Sequence, residues 1–220
     1  MVSANKPVRA GWFKISTFQR GKVELARQMR GLDAVRHVCT GASVLDLGCA
    51  EGLVSLELAK AGATLIHGVE LLGERLVVAE DFFKKELPSL QRKFITWDLT
   101  RFDDLVLGAD SAPAASDQPT LLSRYDVVLC LAIAQKLSNP RRFLRLASLL
   151  CADLMAVRLP YPVLDDPRSF NIRLDVAQML ASEFDLIQET DGYPTDLKRP
   201  YAPGDDAWLG IFRRRRPRTG

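Results

Sequence analysis

The stretch from Val44 to Gly52 carries the residues whose types and spacing most directly indicate chemistry. Asp46 stands among apolar residues that favour a buried strand, and Gly48 opens the turn that follows. Glycine has no Cβ atom, so the backbone can turn sharply there and approach a ligand closely. A carboxylate at the end of a strand accepts hydrogen bonds from an amine or a hydroxyl group. This pattern is typical of the turn that holds an adenosine-containing cofactor in α/β folds.

The segment Asp46–Gly52 resembles the first motif of class I S-adenosylmethionine-dependent methyltransferases, which reads acid-x-Gly-x-Gly-x-Gly. The chain departs from that pattern at Ala50, which replaces the middle glycine and removes some freedom from the turn. A nicotinamide-type turn prefers Gly-x-Gly-x-x-Gly, and that spacing is absent here. The resemblance implies that S-adenosylmethionine is bound by Asp46, Gly48, Cys49, Ala50 and Gly52.

Further cofactor contacts are expected where later strands end. Glu70 closes the predicted second strand, 24 residues after Asp46, and a carboxylate there can accept both ribose hydroxyl hydrogens. Asp98 follows the third strand, where the resemblance implies contact with the adenine amino group; a cap for the turn at residues 100–102 is the alternative. Neighbouring apolar side chains complete the predicted cofactor site: Leu71, Leu99 and Leu131.

Strand and helix patterns alternate along the chain, which predicts an α/β fold. The predicted strands are 43–47, 65–69, 93–97, 125–131, 153–158, 184–190 and 207–212, and the predicted helices include 16–35, 53–61, 73–86 and one that begins at Pro140. The resemblance implies a doubly wound, Rossmann-like sheet of seven mostly parallel strands. In that fold the last strand is antiparallel and lies between the fifth and the sixth.

The domain organisation follows from the same patterns. Residues 1–39 form an N-terminal arm and helix, with a possible role as a lid, and 40–213 form the methyltransferase domain. Small and polar residues without periodicity indicate a flexible insertion over 108–123. Residues 214–220 are predicted to be a basic tail.

Composition excludes several classes of protein. The chain has 220 residues, 47% of them hydrophobic and 26% charged, as expected of one globular domain. No apolar run approaches the roughly 18 residues of a membrane span, and the N-terminus lacks the apolar core of a signal peptide. The four cysteines form no CxxC pair, so we expect reduced thiols in a cytoplasmic protein without a metal site. A catalytic thiol at Cys130 is the alternative.

The net charge of +3 includes five arginines close to the C-terminus, so the rest of the chain carries −2. A partner with phosphate groups, such as RNA, would therefore be bound through these residues or through the local basic cluster of Arg141, Arg142 and Arg145 near Lys136, because the domain as a whole is not basic. A solvated tail is the alternative. The arginines concerned are Arg213, Arg214, Arg215, Arg216 and Arg218.

The methyl acceptor is left open by the sequence. No Asp/Asn-Pro-Pro-Tyr/Phe follows the fourth strand, and no Pro-Cys pair indicates a covalent pyrimidine mechanism. We predict first a small-molecule O or N acceptor, second RNA, and third a cofactor-binding scaffold without turnover. The candidates for the acceptor pocket are Trp12, Lys14, Gln135 and Tyr161.

Overall fold

The computed structural model describes residues 24–107, 120–160, 176–191 and 207–216. The predicted N-terminal arm, most of the predicted insertion, the loops 161–175 and 192–206, and residues 217–220 lie outside the described residues. Trp12, Lys14, Tyr161 and Arg218 are therefore left as predictions.

One seven-stranded sheet forms the centre of the described structure, with the strand order β3-β2-β1-β4-β5-β7-β6. Strand β7 is antiparallel to both of its neighbours, and the other neighbouring pairs are parallel, which confirms the expected fold. The strands are β1 (Ser43–Leu47), β2 (Leu65–Glu70), β3 (Gln91–Thr96), β4 (Tyr125–Leu131), β5 (Cys151–Pro160), β6 (Phe184–Asp191) and β7 (Ala207–Arg214).

Helices cover both faces of this sheet. They are α1 (Leu25–Met29), α2 (Asp33–Val38), α3 (Leu53–Lys60), α4 (Gly73–Glu86), α5 (Phe102–Leu107) and α6 (Pro140–Leu149), with a further helical turn at residues 176–180. Two short 3-10 helices, Leu99–Arg101 and Ala134–Lys136, follow β3 and β4. None of the described helices is long and apolar enough to span a membrane.

The core has two layers, because successive residues of each strand point to opposite faces of the sheet. Leu45 of β1 packs in the layer covered by α5 and α6, whereas its neighbour Val44 packs in the layer covered by α2 and α3. The central strand β4 is buried at every position except Asp126 and its last residue, as expected of a parallel strand with helices on both sides.

The predicted long helix over 16–35 is wrong in its described part, which is divided into α1 and α2. Gly31 stands between them with φ +79°, and a Cβ atom there would lie 2.8 Å from Leu209 of β7. Arg158 of β5 fixes this break by donating hydrogen bonds to the carbonyl oxygens of Gln28 (2.7 Å) and Arg30 (2.8 Å). The helical spacing of apolar residues continues through Gly31, but the helical conformation of the backbone stops there.

Strand β7 also runs two residues further than predicted, into the arginine cluster. Arg213 pairs with Leu154 of β5, and Arg214 pairs with Phe184 of β6. Arg214 is therefore part of the sheet and not the first residue of a tail.

Candidate cofactor site

The strand order places a pocket at the point where the direction of the chain connections reverses, between β1 and β4. Open α/β sheets bind ligands at this point, beyond the carboxyl ends of the strands. The pocket has a volume of about 280 Å³ and is lined by the residues that follow β1, β2, β3 and β4. Seven residues of the predicted cofactor site line it: Gly48, Ala50, Glu70, Leu71, Asp98, Leu99 and Leu131.

The turn after β1 has an unusual backbone. Gly48, Ala50 and Gly52 all have positive φ values, of 84°, 51° and 69°. The amides of Gly48 and Cys49 both donate to the carbonyl oxygen of Val69 in β2, at 2.8 and 3.1 Å, and so hold the turn against the next strand. The positive φ favours glycine at position 48, and a Cβ atom there would lie 3.0 Å from the Ile133 side chain, which would have to shift.

Ala50 adopts the left-handed conformation that glycine has elsewhere in the turn. An L-residue in this region is strained by about 1–2 kcal/mol. A compensating hydrogen bond joins the amide of Ala50 to Oε2 of Glu70, at 3.0 Å. The departure from the glycine pattern is therefore accommodated without a different turn.

Asp46 lies behind the turn and is not part of the pocket wall. It is 3% exposed, and the Ser55 hydroxyl donates a hydrogen bond of 2.6 Å to its Oδ2 atom. Burial raises the pKa of Asp46 to about 6. The carboxylate thus joins β1 to the start of α3, where Ser55 lies.

The other two predicted residues of this motif that lie off the wall have packing roles. Gly52 precedes α3, and a Cβ atom there would lie 3.0 Å from the Ala79 methyl group of α4. Cys49 is buried, and burial raises its pKa well above the usual range. Burial likewise raises the pKa of Cys130, as it does for Cys39 and Cys151, so none of the four thiols resembles a reactive nucleophile.

Glu70, the last residue of β2, is 7% exposed and accepts several hydrogen bonds. The amides of Leu71 (3.0 Å) and Leu72 (3.2 Å) donate to Oε1, and the amide of Ala50 donates to Oε2. Glu70 thus joins the turn after β1 to the start of α4. The guanidinium of Arg75, in the first turns of α4, lies 3.5 Å from Oε1.

Asp98 has the capping role considered for it, and its contact with adenine stays a prediction. Its side chain accepts a hydrogen bond of 2.9 Å from the Thr100 amide and so caps the 3-10 helix Leu99–Arg101. This hydrogen bond holds the pKa of Asp98 below its usual value. The same residue lines the pocket with Leu99, which is buried, and with Leu71, which is 58% exposed.

The segment after β4 forms the remaining wall. Ala132 is the second non-glycine residue with a positive φ, of 57°, among the described residues. Its amide donates to the carbonyl oxygen of Arg158, and its own carbonyl oxygen accepts from Nε2 of Gln135 at 2.8 Å. Gln135 is not on the pocket wall formed by the described residues, and its buried Oε1 atom has no hydrogen-bond partner among them.

The sequence analysis missed three pocket residues with large polar or aromatic side chains. Arg75, Trp97 and Lys136 all line the pocket. Trp97 could have been found, because it directly precedes Asp98 at the end of a strand. Lys136 was considered only as part of a basic cluster near the substrate, and Arg75 carries no such signal, since a cation on a helix is usually solvated.

The described arginines of the C-terminal cluster, Arg213 to Arg216, lie at the opposite end of the parallel strands. Strand β7 is antiparallel, so its last residues lie beside the first residues of β5. Arg213 pairs with Leu154, four residues before Arg158, which is about 13 Å along a strand. Within the part of the chain that the structure describes, no cluster of His, Cys, Asp and Glu that could hold a metal ion occurs at either edge.

Comparison with known proteins adds the fold family. No protein-family model and no curated protein sequence matches the chain. Among solved structures, the magnesium protoporphyrin IX methyltransferase of Synechocystis PCC 6803, with S-adenosylmethionine bound, matches with a TM-score of 0.60 and 18% identity, over 86% of this chain and 81% of that chain. The chain has the class I methyltransferase fold.

Other proteins of this fold differ in their acceptors. The N-methyltransferase NodS of Bradyrhizobium japonicum matches with a TM-score of 0.60 and 12% identity, over 86% of this chain and 94% of that chain. A candidate RNA methyltransferase of Pyrococcus horikoshii matches with a TM-score of 0.57 and 14% identity, over 86% and 84%. At these identities the likeness establishes the fold, and the function has to be argued from the site.

Proposed function

We propose that this protein transfers a methyl group from S-adenosylmethionine to an oxygen or nitrogen atom of a small molecule. One observation carries the proposal. The pocket at the reversal point of the sheet combines a backbone turn with positive φ values and two carboxylates at the ends of consecutive strands, Glu70 and Asp98. This combination fits an adenosine bearing a flexible cationic chain.

The pocket residues fit the parts of this cofactor. Glu70 would accept a hydrogen bond from the ribose, and Asp98 would accept one from the adenine amino group. The apolar surfaces of Leu71, Trp97 and Leu99 would hold the faces of the adenine ring. The absence of a side chain at Gly48 lets the methionine part of the cofactor approach the backbone closely. The buried negative charge of Asp46 would favour the positive charge of that part.

The chemistry asks little more of the protein. S-adenosylmethionine supplies a methyl group that is already activated, so the chain has to align the acceptor with it and exclude water. A general base is needed only where the acceptor must lose a proton before attack. Gln135, predicted to contact the acceptor, cannot supply one at neutral pH, and its amide donates to the Ala132 carbonyl oxygen instead of lining the pocket.

RNA is the second candidate acceptor, and the likeness to a candidate RNA methyltransferase of the same fold supports it. Against a role for the arginine cluster, Arg213 and Arg214 belong to the edge opposite the pocket, and both form ion pairs with acids. RNA held there would lie far from the donor methyl group. This position argues against RNA held by these arginines, and we therefore place the small-molecule acceptor first.

The test is transfer of a labelled methyl group to separated fractions of a cell extract. We expect label in the metabolite fraction with the wild-type protein and none with Glu70→Ala. Label confined to the RNA fraction would replace the proposal by the second candidate. If the donor binds and neither fraction is labelled, the protein is a cofactor-binding scaffold.

A further inference from the structure

The carboxylate of Glu70 is already used extensively inside the protein. Its Oε1 atom accepts from the amides of Leu71 and Leu72 and lies 3.5 Å from Nη1 of Arg75. A carboxylate oxygen has about two acceptor positions, so Oε1 is filled. Its Oε2 atom accepts only from the amide of Ala50, at 3.0 Å, among the contacts of the described residues. One acceptor position is therefore left, and it is on Oε2.

Rotation of the side chain would not free a second position without loss. The amides of Leu71 and Leu72 belong to the segment that enters α4, and the amide of Ala50 belongs to the strained turn after β1. Turning Glu70 would leave these buried or half-buried donors without a partner, which costs about 1–3 kcal/mol for each one. The carboxylate is thus fixed with one available position.

Arg75 lies beside the Oε1 atom of the same carboxylate and has further N–H donors. Its guanidinium lies 3.5 Å from Glu70 and 3.9 Å from Oε1 of Glu51, whose side chain is 1% exposed. The two carboxylates hold the guanidinium in place, while its group of five N–H donors exceeds what these two contacts use. Arg75 is 21% exposed at the side chain and lines the pocket.

We propose that Glu70 and Arg75 divide the recognition of the cofactor ribose between them. One hydroxyl donates to Oε2 of Glu70, and the oxygen of the other hydroxyl accepts from the guanidinium of Arg75. Arg75 is thereby a specificity-determining residue of the cofactor site. The inference rests on the proposed function, since the ribose is that of S-adenosylmethionine.

The test is a calorimetric titration with S-adenosylhomocysteine and its 2′-deoxy and 3′-deoxy analogues. With the wild-type protein, each missing hydroxyl should weaken binding by about tenfold, the usual effect of one hydrogen bond to a charged group. In Glu70→Gln the loss should shrink to within about threefold for one analogue, and in Arg75→Met it should shrink for the other. Arg75→Lys keeps a donor and should retain part of the loss.

The matched control is Arg92→Met. Arg92 of β3 forms an ion pair of 3.0 Å with Glu80. Glu80 belongs to α4, as Arg75 does, but neither Arg92 nor Glu80 lines the pocket. Arg92→Met should leave all three affinities within about twofold, and thermal unfolding should show that every variant is folded.

The division of roles would be overturned if Glu70→Gln removed the discrimination against both analogues while Arg75→Met removed neither. It would also be overturned if the wild-type protein bound one deoxy analogue as tightly as S-adenosylhomocysteine. Failure of S-adenosylhomocysteine itself to bind contradicts the proposed function instead, so the two failures are distinguishable.

Discussion

Arginines lie at both ends of the parallel strands, the carboxyl edge with the pocket and the opposite edge, but the surroundings of those arginines differ. At the carboxyl edge, Arg75 lies on the wall of an open pocket, between two carboxylates that belong to different strand ends. At the other edge, Arg214 donates to the carbonyl oxygens of Cys151 and Ser148 and lies over the Phe184 ring. The first arginine is available to a ligand, whereas the second completes the packing of the sheet.

This difference teaches that a basic residue has to be interpreted through its partners and not through its neighbours in sequence. Arg214 stands in a run of arginines, which indicates an anion-binding tail, yet its donors are used within the protein. Arg75 is isolated in the sequence and lines the pocket. Four changes would sharpen or break this contrast.

The largest effect is expected at the pocket edge. Glu70→Ala removes the acceptor for the ribose and also releases the turn at Ala50, so we expect donor affinity to fall by about 3 kcal/mol, or roughly a hundredfold. Titration with S-adenosylhomocysteine measures this. A change of less than about threefold would mean that the pocket is not the cofactor site.

Arg214→Ala should act on stability alone. It removes hydrogen bonds to two carbonyl oxygens and a guanidinium 4.4 Å from the Phe184 ring centroid, so we expect the free energy of unfolding to fall by about 2–3 kcal/mol. Arg215→Ala is the matched control, because the exposed ion pair of Arg215 with Asp185 is worth less than about 1 kcal/mol. Loss of cofactor affinity in Arg214→Ala, measured in the folded protein, would contradict the separation of the two edges.

The sequence predicts an element of the fold well where residues close together in the chain determine it, and poorly where distant residues do. Strands β1 and β4 have the predicted bounds, because each is an apolar run closed by a turn. The end of β7 was missed because pairing with β5, more than fifty residues earlier in the chain, extends it over two arginines. The break at Gly31 was missed for a similar reason, since Arg158 of β5, more than a hundred residues later in the chain, binds the carbonyl oxygens of Gln28 and Arg30 just before it.

The candidate site follows the same rule. The residues of the turn and of the strand ends are close to one another in sequence or at fixed topological positions, so the motif predicts them. Arg75 and Lys136 reach the pocket from a helix and from a 3-10 turn whose orientation no local pattern encodes. Asp46 belongs to the motif, but the sequence could not show that it lies behind the wall.

Asp46→Asn should change how both the stability of the protein and its affinity for the donor depend on pH. Because burial raises the pKa of Asp46 from 3.8 to about 6, the folded state binds a proton between these values that the unfolded state has lost. Asp46 therefore contributes about 2–3 kcal/mol to the free energy of unfolding below pH 4, and this contribution is lost as the pH rises through 6.

Denaturant titrations at pH 4 and pH 8 measure this effect. At pH 4 the free energy of unfolding of Asp46→Asn should equal that of the wild type, because asparagine can still accept the hydrogen bond from Ser55. At pH 8 it should be higher, because asparagine carries no buried charge. Its donor affinity should lose the wild-type increase between pH 5 and pH 7. A wild-type protein that becomes more stable than the variant at pH 8 would contradict the assignment of a buried charge.

The smallest effect is expected at Ala50→Gly. Relief of the positive φ should gain about 1–2 kcal/mol, and the extra freedom of glycine in the unfolded chain should offset about half of it. We therefore expect a modest gain in the midpoint of thermal unfolding. The control is Ala59→Gly, within α3, which should lose about 1 kcal/mol. A loss at Ala50→Gly as large as that at Ala59→Gly would show that the turn is not strained.

The central claim is that the pocket at the carboxyl edge binds S-adenosylmethionine. Its most direct test is a parallel calorimetric titration of the purified protein with S-adenosylmethionine, S-adenosylhomocysteine and NAD. We predict micromolar binding of the first two and no binding of NAD. Binding of NAD alone, or of none of the three, would contradict the claim.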